Sequence, residues 1–363
     1  MSLRLLLTFL ILIASFRVAE AQHSIEFNSI SGFKVFSPGN YALSGMSRGG
    51  ELAFNFSQRH RSDEWIRRLH ITDISLVGGF HNMRSVQIAD SLASKGFLQN
   101  VFTVSGRLNH KLYEIGRFSM SLTAGLGLAY STSSYFTDEN PIVGSKLNFS
   151  PQGGLKLAAA VTPDLSLAAA ANIFHYSNAA VRVPNKGVNS FQASVGISYK
   201  LPYDDSQKVI DGSLRQDSMR QFFEFAIDAG RRGAWKSTGG NWKSGLSLHY
   251  HYPLNNVVNL KAGTDLVYYY TTFDGSEHRY QYFATSYDPI RAGISLGSDI
   301  WLGKLVVGMN YGYYLKYNSL HPVKTYWTGT LKYYLTRGIG VQSKLYFHRA
   351  QADYLGFGIV FRR

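Results

Sequence analysis

The chain lacks cysteine altogether and has only nine prolines, an unusually low charged fraction of 17%, and a single apolar run of any length. Without thiols it can build neither a disulfide scaffold nor a Cys-ligated zinc or iron–sulfur centre. The charged fraction sits below the roughly 25% usual for soluble domains, yet the 45% hydrophobic content is dispersed rather than gathered into helix-length spans. The one apolar run, Leu5 to Ala14, is too short to cross a bilayer as a helix. With Arg4 before it and the small-x-small triplet Ala19-Glu20-Ala21 after it, it predicts a secretory signal peptide over residues 1–21. No cysteine follows to anchor a lipoprotein, so the expected mature protein is an exported chain.

What is present is glycine (35), tyrosine (24) and phenylalanine (23), on a chain of formal charge +14. Losing Arg4, Arg17 and Glu20 with the signal peptide removes two positive charges and one negative, leaving about +13. From His23 onward the spacing is that of strands, not helices. Phe191, Ala193, Val195, Ile197 and Tyr199 alternate with Ser190, Gln192, Ser194, Gly196 and Ser198. Leu305, Val307, Met309, Tyr311 and Tyr313 alternate with Val306, Gly308, Asn310 and Gly312. Segments of about ten residues with one apolar face and one small or polar face are the pattern of a transmembrane β-barrel.

Sixteen such segments can be placed between residues 24 and 362. Short turns such as Thr162-Pro163-Asp164 alternate with polar loops at 82–96, 132–148, 178–187, 272–289 and 317–323, predicting short periplasmic and long external connections. Pro202 to Met219 breaks this rule: it falls on the short-turn side, carries four aspartates, and splits the strands into two sets of eight. The expected organisation is a signal peptide (1–21), a first barrel half (22–202), a polar linker (203–218) and an additional strand half (219–363). The expected fold class is all-β: one transmembrane antiparallel β-barrel of about 14–16 strands, since an even run of strands closes most simply on itself. Two consecutive eight-stranded barrels are the alternative.

One stretch carries chemistry. In His175-Tyr176-Ser177-Asn178 the first and third residues share a strand face and lie about 6.6–6.8 Å apart by rise, so imidazole and hydroxyl can meet after side-chain rotation. Both sit on the otherwise apolar, outward face, where unpartnered polar groups are costly. The loop 179–188 returns the chain antiparallel and places Asn189 on the same face, beside His175. The same residues also suit the headgroup level of any barrel, where Ser, Asn and His are ordinary. No HExxH-like spacing occurs among the eleven histidines, so neither metal nor cofactor is expected, and no recognition motif suggests nucleic acid.

The stretches Gly144-Ser145-Lys146-Leu147-Asn148-Phe149 and Gly153-Gly154-Leu155-Lys156, followed by HYSNAAVRVPNKGVNSF from His175 to Phe191, resemble the outer-membrane lipid A 3-O-deacylase (acyloxyacyl hydrolase-like) family. The resemblance is best over residues 120–200, and the strands up to 200 match that family's eight-stranded barrel. It implies a serine esterase that hydrolyses an ester-linked acyl chain of lipid A, with Ser177 as nucleophile and His175 as general base. It further implies that Asn178 and Asn185 shape the site, Asn185 or nearby backbone N–H groups serving an oxyanion hole. The family's acidic third member falls on Asn189, an amide here; Asp138 or Glu139 from the preceding loop are possible substitutes. Lys146, Arg182 and Lys186, with Arg231, Arg232, Lys236 and Lys243 from the second half, are candidate contacts to lipid A phosphates. The implied partners are lipid A or lipopolysaccharide in the outer leaflet, membrane lipids, and the barrel-assembly machinery, the last suggested by Phe361 near the end of an aromatic final strand. The implied location is the bacterial outer membrane. A non-catalytic, porin-like or structural barrel is the competing reading, with Lys156, Lys200, Lys332 and Lys344 lining a channel.

Overall fold

The computed structural model describes residues 23–37, 42–59, 61–90, 93–202, 220–235, 237–272, 286–319, 323–348 and 351–363. The expected signal peptide (1–21), the linker (203–218) and Lys236 lie outside them. The first part of the chain forms β1 (Ser24–Phe36), β2 (Ala42–Ser44), β3 (Ser47–Ser57), β4 (Ile71–Asn82), β5 (Gln87–Asp90) and β6 (Ala93–Phe97). It continues with β7 (Asn100–Ile115), β8 (Phe118–Ser131), β9 (Leu147–Ala160), β10 (Leu165–Tyr176) and β11 (Val188–Lys200), with short helices α1 (Glu64–Arg68) and α2 (Tyr135–Asp138). The second part holds β12 (Phe222–Gly233), β13 (Gly240–Pro253), β14 (Val258–Tyr269), β15 (Ile290–Leu302), β16 (Leu305–Lys316), β17 (Thr325–Tyr334), β18 (Ile339–His348) and β19 (Gln351–Arg362).

The dyad alternation becomes two faces. In β10, Leu167, Ala169, Ala171 and Ile173 are exposed on the outer wall, whereas Ala168, Phe174 and Tyr176 are buried inside. In β16, Val307, Met309, Tyr311 and Tyr313 face out while Val306, Gly308, Asn310 and Gly312 face in. Every one of the sixteen predicted barrel segments is a barrel strand, and all pairings between them are antiparallel.

The all-β barrel class holds, and of its two expected forms the single barrel of 14–16 strands is corrected in favour of two consecutive eight-stranded barrels. Two closed barrels form, in the orders β1-β11-β10-β9-β8-β7-β4-β3 and β12-β13-β14-β15-β16-β17-β18-β19. The reason is edge satisfaction. β11 pairs back onto β1 from Ser24↔Lys200 to Phe36↔Asn189, so no open edge remains after the eighth barrel strand. β19 closes onto β12 in the same way, from Glu224↔Arg362 to Gly230↔Gly356. Alternation along a strand reports which face is buried but not which distant strand is its neighbour. The sequence reading also missed β2, β5 and β6, a small sheet formed within the external loops of the first barrel.

The interiors are filled rather than open. In the first barrel Arg107 bonds Glu51 Oε2 at 2.8 Å and Gln152 Oε1 at 3.1 Å, and Lys156 pairs with Glu26. A cavity of about 670 Å³ remains at the short-turn end, lined by Glu26, Asp73, Lys156 and residues around α1. In the second barrel Lys332 bridges Glu224 (2.6 Å) and Asp299 (2.9 Å), and Lys344 reaches Asp265 at 2.5 Å. Lys332 and Lys344 are thus ion-paired plugs instead of channel liners, Lys156 is ion-paired to Glu26 at the wall of the first barrel's cavity, and Lys200 sits at the turn, donating to Pro163 O at 2.8 Å. Glu224, His251 and Asp299 could by distance hold a cation, but the Lys332 ammonium already occupies the space between the two carboxylates.

Candidate active site

The site stands where β10 and β11 reach the long-loop end of the first barrel. Their register sets His175 directly opposite Asn189. Since opposite residues of an antiparallel pair project to the same face, the two side chains meet on the outer wall. Beneath them the barrel mouth is packed solid: Phe174, Tyr176 and Val188 join Val35, Ile142 and Val143 in a buried apolar cluster. That cluster fixes the strand ends, and with them the residues projecting the other way.

Ser177 lies just past β10 and is held by its backbone. Its N–H donates to Phe149 O at 3.1 Å, and its carbonyl accepts from Phe149 N–H at 2.7 Å. From this fixed position Ser177 Oγ lies 2.9 Å from His175 Nε2, and His175 Nδ1 lies 2.8 Å from Asn189 Oδ1. The Asn189 amide is oriented by its other end, since Nδ2 donates to Phe36 O at 3.4 Å. With Oδ1 turned to the ring, Nδ1 must be the protonated nitrogen, which leaves the Nε2 lone pair to accept the Ser177 hydroxyl proton. Hydroxyl, imidazole and amide therefore stand in line, each within hydrogen-bond reach of the next, which is the geometry that a nucleophile, a base and an orienting group require.

The loop beyond Ser177 is bracketed by two asparagines. Asn178 N–H donates to Asn185 Oδ1 at 3.0 Å, and Arg182 N–H to Asn178 Oδ1 at 3.4 Å. Ala179 (φ 53°) and Ala180 (φ 65°) take the left-handed conformation in the turn between them. The far side is tied to the first barrel through Lys186 N–H to Ile142 O at 2.9 Å. The N–H groups of Ser177 and Asn178 are thus both committed, to Phe149 O and to Asn185 Oδ1.

Two contributors announced themselves by no spacing. Gly187 has φ +72°, and a Cβ there would fall 2.7 Å from His175 Cε1 and 3.4 Å from Nε2. Ser37 Oγ donates to the Gly187 carbonyl at 2.7 Å, pinning that close approach. Only a glycine closing the Pro-Asn-Lys-Gly loop hints at it in the sequence.

The remaining expected residues divide. Asp138, the last residue of α2, accepts from Ser134 N–H at 3.1 Å through Oδ2, and Glu139 ends that helix at φ 53°; the ring of His175 is partnered by Asn189 instead. Lys146 and Lys186 lie in the loops flanking the site. Arg182 is engaged from two sides, over the Phe136 ring at 5.6 Å and donating to Thr238 O at 2.5 Å. Arg231 also reaches Thr238 O, at 3.5 Å. Arg232 and Lys243 are corrected: neither faces an external phosphate, because both point into the second barrel, Arg232 donating to Asp353 O (2.9 Å) and Lys243 to Asp353 Oδ1 (2.5 Å).

Comparison with known proteins matches each barrel to a family profile. Residues 51–198 match Lipid A 3-O-deacylase (PagL), and residues 218–363 match Acyloxyacyl hydrolase, C-terminal domain. No curated protein matches the sequence. Among solved structures, the outer membrane enzyme PagL is 17% identical, over 47% of this chain and 97% of that one, with a TM-score of 0.31. The Acinetobacter baumannii outer membrane protein Omp33 is 8% identical over 96% and 100% of the two chains, at a TM-score of 0.19. The Pseudomonas putida toluene transporter TodX is 10% identical over 95% and 89%, at 0.18. On the two profiles, one lying on each barrel, the chain is a bacterial outer-membrane β-barrel protein of the lipid A 3-O-deacylase family.

Proposed function

We propose that the protein is a membrane-embedded serine esterase that removes an ester-linked acyl chain from lipid A. The observation that carries this reading is the line Ser177 Oγ, His175 Nε2, His175 Nδ1, Asn189 Oδ1, with links of 2.9 and 2.8 Å, on a wall whose neighbouring residues are apolar and exposed. An amphiphile can keep its acyl chains in the bilayer while presenting an ester at the height of Ser177. Ser177 Oγ attacks the ester carbonyl as its proton passes to His175 Nε2. The tetrahedral oxyanion is met by the Asn185 NH2. Collapse breaks the bond to the sugar oxygen, which takes the proton from Nε2 and leaves. Water then repeats the sequence on the acyl-enzyme, freeing the fatty acid and restoring Ser177.

Asn189 orients the ring but carries no charge to stabilise the imidazolium. Asn189→Asp is therefore expected to raise kcat about fivefold to tenfold, the gain from a charged over a neutral hydrogen bond. Asn189→Leu, which leaves Nδ1–H without an acceptor, should lower it about a hundredfold or more. Release of fatty acid from lipid A by the purified variants checks both; equal activity in all three proteins would remove Asn189 from the mechanism.

Gly187→Val should also be severe, since its Cβ enters the space of the His175 ring at a left-handed backbone position. Displacing the base by the better part of an ångström is expected to cost about a hundredfold in kcat, in a barrel that still folds. The same assay, paired with heat-modifiable gel mobility as the folding control, reads it. A fully active Gly187→Val protein would mean that the loop does not hold the ring.

A further inference from the structure

The loop from Asn178 to Gly187 has a second wall that does not belong to the first barrel. The tip of the β12–β13 hairpin lies against it: Gly233 N–H donates to Ala180 O at 2.8 Å, and Val183 pairs with Trp235 as a parallel bridge. Arg182 adds the side-chain bond to Thr238 O. The approach is backbone on backbone, for a Cβ on Gly233 would fall 2.8 Å from Val183 N and 2.9 Å from Arg182 Cα. On the opposite side Gly144 is equally bare, a Cβ there falling 2.5 Å from Pro184 O. The segment 182–184 is thus clasped between a glycine from each barrel. At the other end of the molecule the barrels meet again, where Asn256 in the β13–β14 turn donates to Glu64 of α1.

The geometry points to a role for the second barrel: it positions the loop that carries Asn178 and Asn185, and so sets the oxyanion side of the site, with Gly233 as the positioning residue and the backbone at 235 as a second tie. The barrel's own interior is plugged, so its working surface is this hairpin tip. A loop with two consecutive left-handed alanines is strained when left alone, and three contacts from the hairpin hold it at no cost to the outer wall on which substrate lies. The inference rests on the esterase reading for its catalytic consequence, but its structural half stands apart from it.

Two variants of the full-length protein test it. Gly233→Val should speed hydrogen exchange of the amides in 178–187 by about tenfold or more and lower kcat for lipid A deacylation by about tenfold to a hundredfold, with KM little changed. Val183→Cys with Trp235→Cys places the only two thiols in the chain, since the natural sequence has none. The pair should oxidise readily, slow exchange in the loop, and leave deacylation within about twofold of wild type. Unchanged loop exchange in Gly233→Val, failure of the cysteines to cross-link, or inactivity that appears on oxidation and disappears on reduction would each overturn the proposal. If the wild type itself releases no acyl chain, the esterase reading falls, while exchange and cross-linking still decide whether the hairpin holds the loop.

Discussion

Ser177→Ala and His175→Ala are each expected to lower lipid A deacylation by roughly ten thousandfold, and the double substitution to lower it no further. The two side chains act as one unit. The hydroxyl is a weak nucleophile at neutral pH unless Nε2, 2.9 Å away, takes its proton, and the imidazole has nothing to activate once the hydroxyl is gone. Two independent contributors would instead multiply their losses. The measurement is kcat for fatty-acid release by the purified single and double variants. A second large drop in the double variant would show that the residues act separately. Because both side chains project from the outer wall while Tyr176 between them anchors the interior, the substitutions should leave barrel stability essentially unaltered.

Asp265→Ala is expected to destabilise the second barrel by about 3–5 kcal/mol. Asp265 stands midway along β14 and accepts three bonds, from Lys344 Nζ at 2.5 Å, Ser295 Oγ at 2.8 Å and Tyr326 OH at 2.8 Å. Lys344 is 1% exposed, so the truncation strands an ammonium inside the barrel along with two hydroxyl donors. Removing the charge from both partners is milder, because an apolar pair asks for no solvation. Asp265→Ala with Lys344→Met should therefore recover about half of the loss or more. Denaturant unfolding in vesicles, followed by tryptophan fluorescence, is well suited: four of the five tryptophans lie beyond residue 220. A cost below about 1 kcal/mol for Asp265→Ala would mean that water reaches Lys344 and the interior is not the packed plug described.

The strands and the pairing of His175 with Asn189 were legible because both depend on near neighbours. His175 and Asn189 are joined by one hairpin, so the parity of each strand is enough to put them on one face, and the register sets them opposite each other. Closure was not legible: whether β11 returns to β1 or runs on is decided by backbone hydrogen bonds between residues up to 176 positions apart, such as Ser24 and Lys200. The polar stretch after Pro202, too long for a periplasmic turn, was the one local sign of it. Parity, applied throughout, would have caught the misplacement of Arg232 as well. Glu224, Ala226, Asp228 and Gly230 form the buried set of β12, and Arg232 continues that set inward. Gly187 and the Gly233 contact were hidden for a different reason, since a glycine's importance lies in what approaches it, and that is known only once the loops are placed.

The esterase assignment is tested most directly by mass spectrometry of lipid A extracted from cells that carry the wild-type protein, the Ser177→Ala variant or neither. Wild-type cells alone are expected to show lipid A lighter by one ester-linked acyl chain, with the Ser177→Ala profile indistinguishable from that of cells without the protein. The same shift in wild-type and Ser177→Ala cells would place the chemistry elsewhere, and no shift in any of them would contradict the assignment of this barrel as a lipid A esterase.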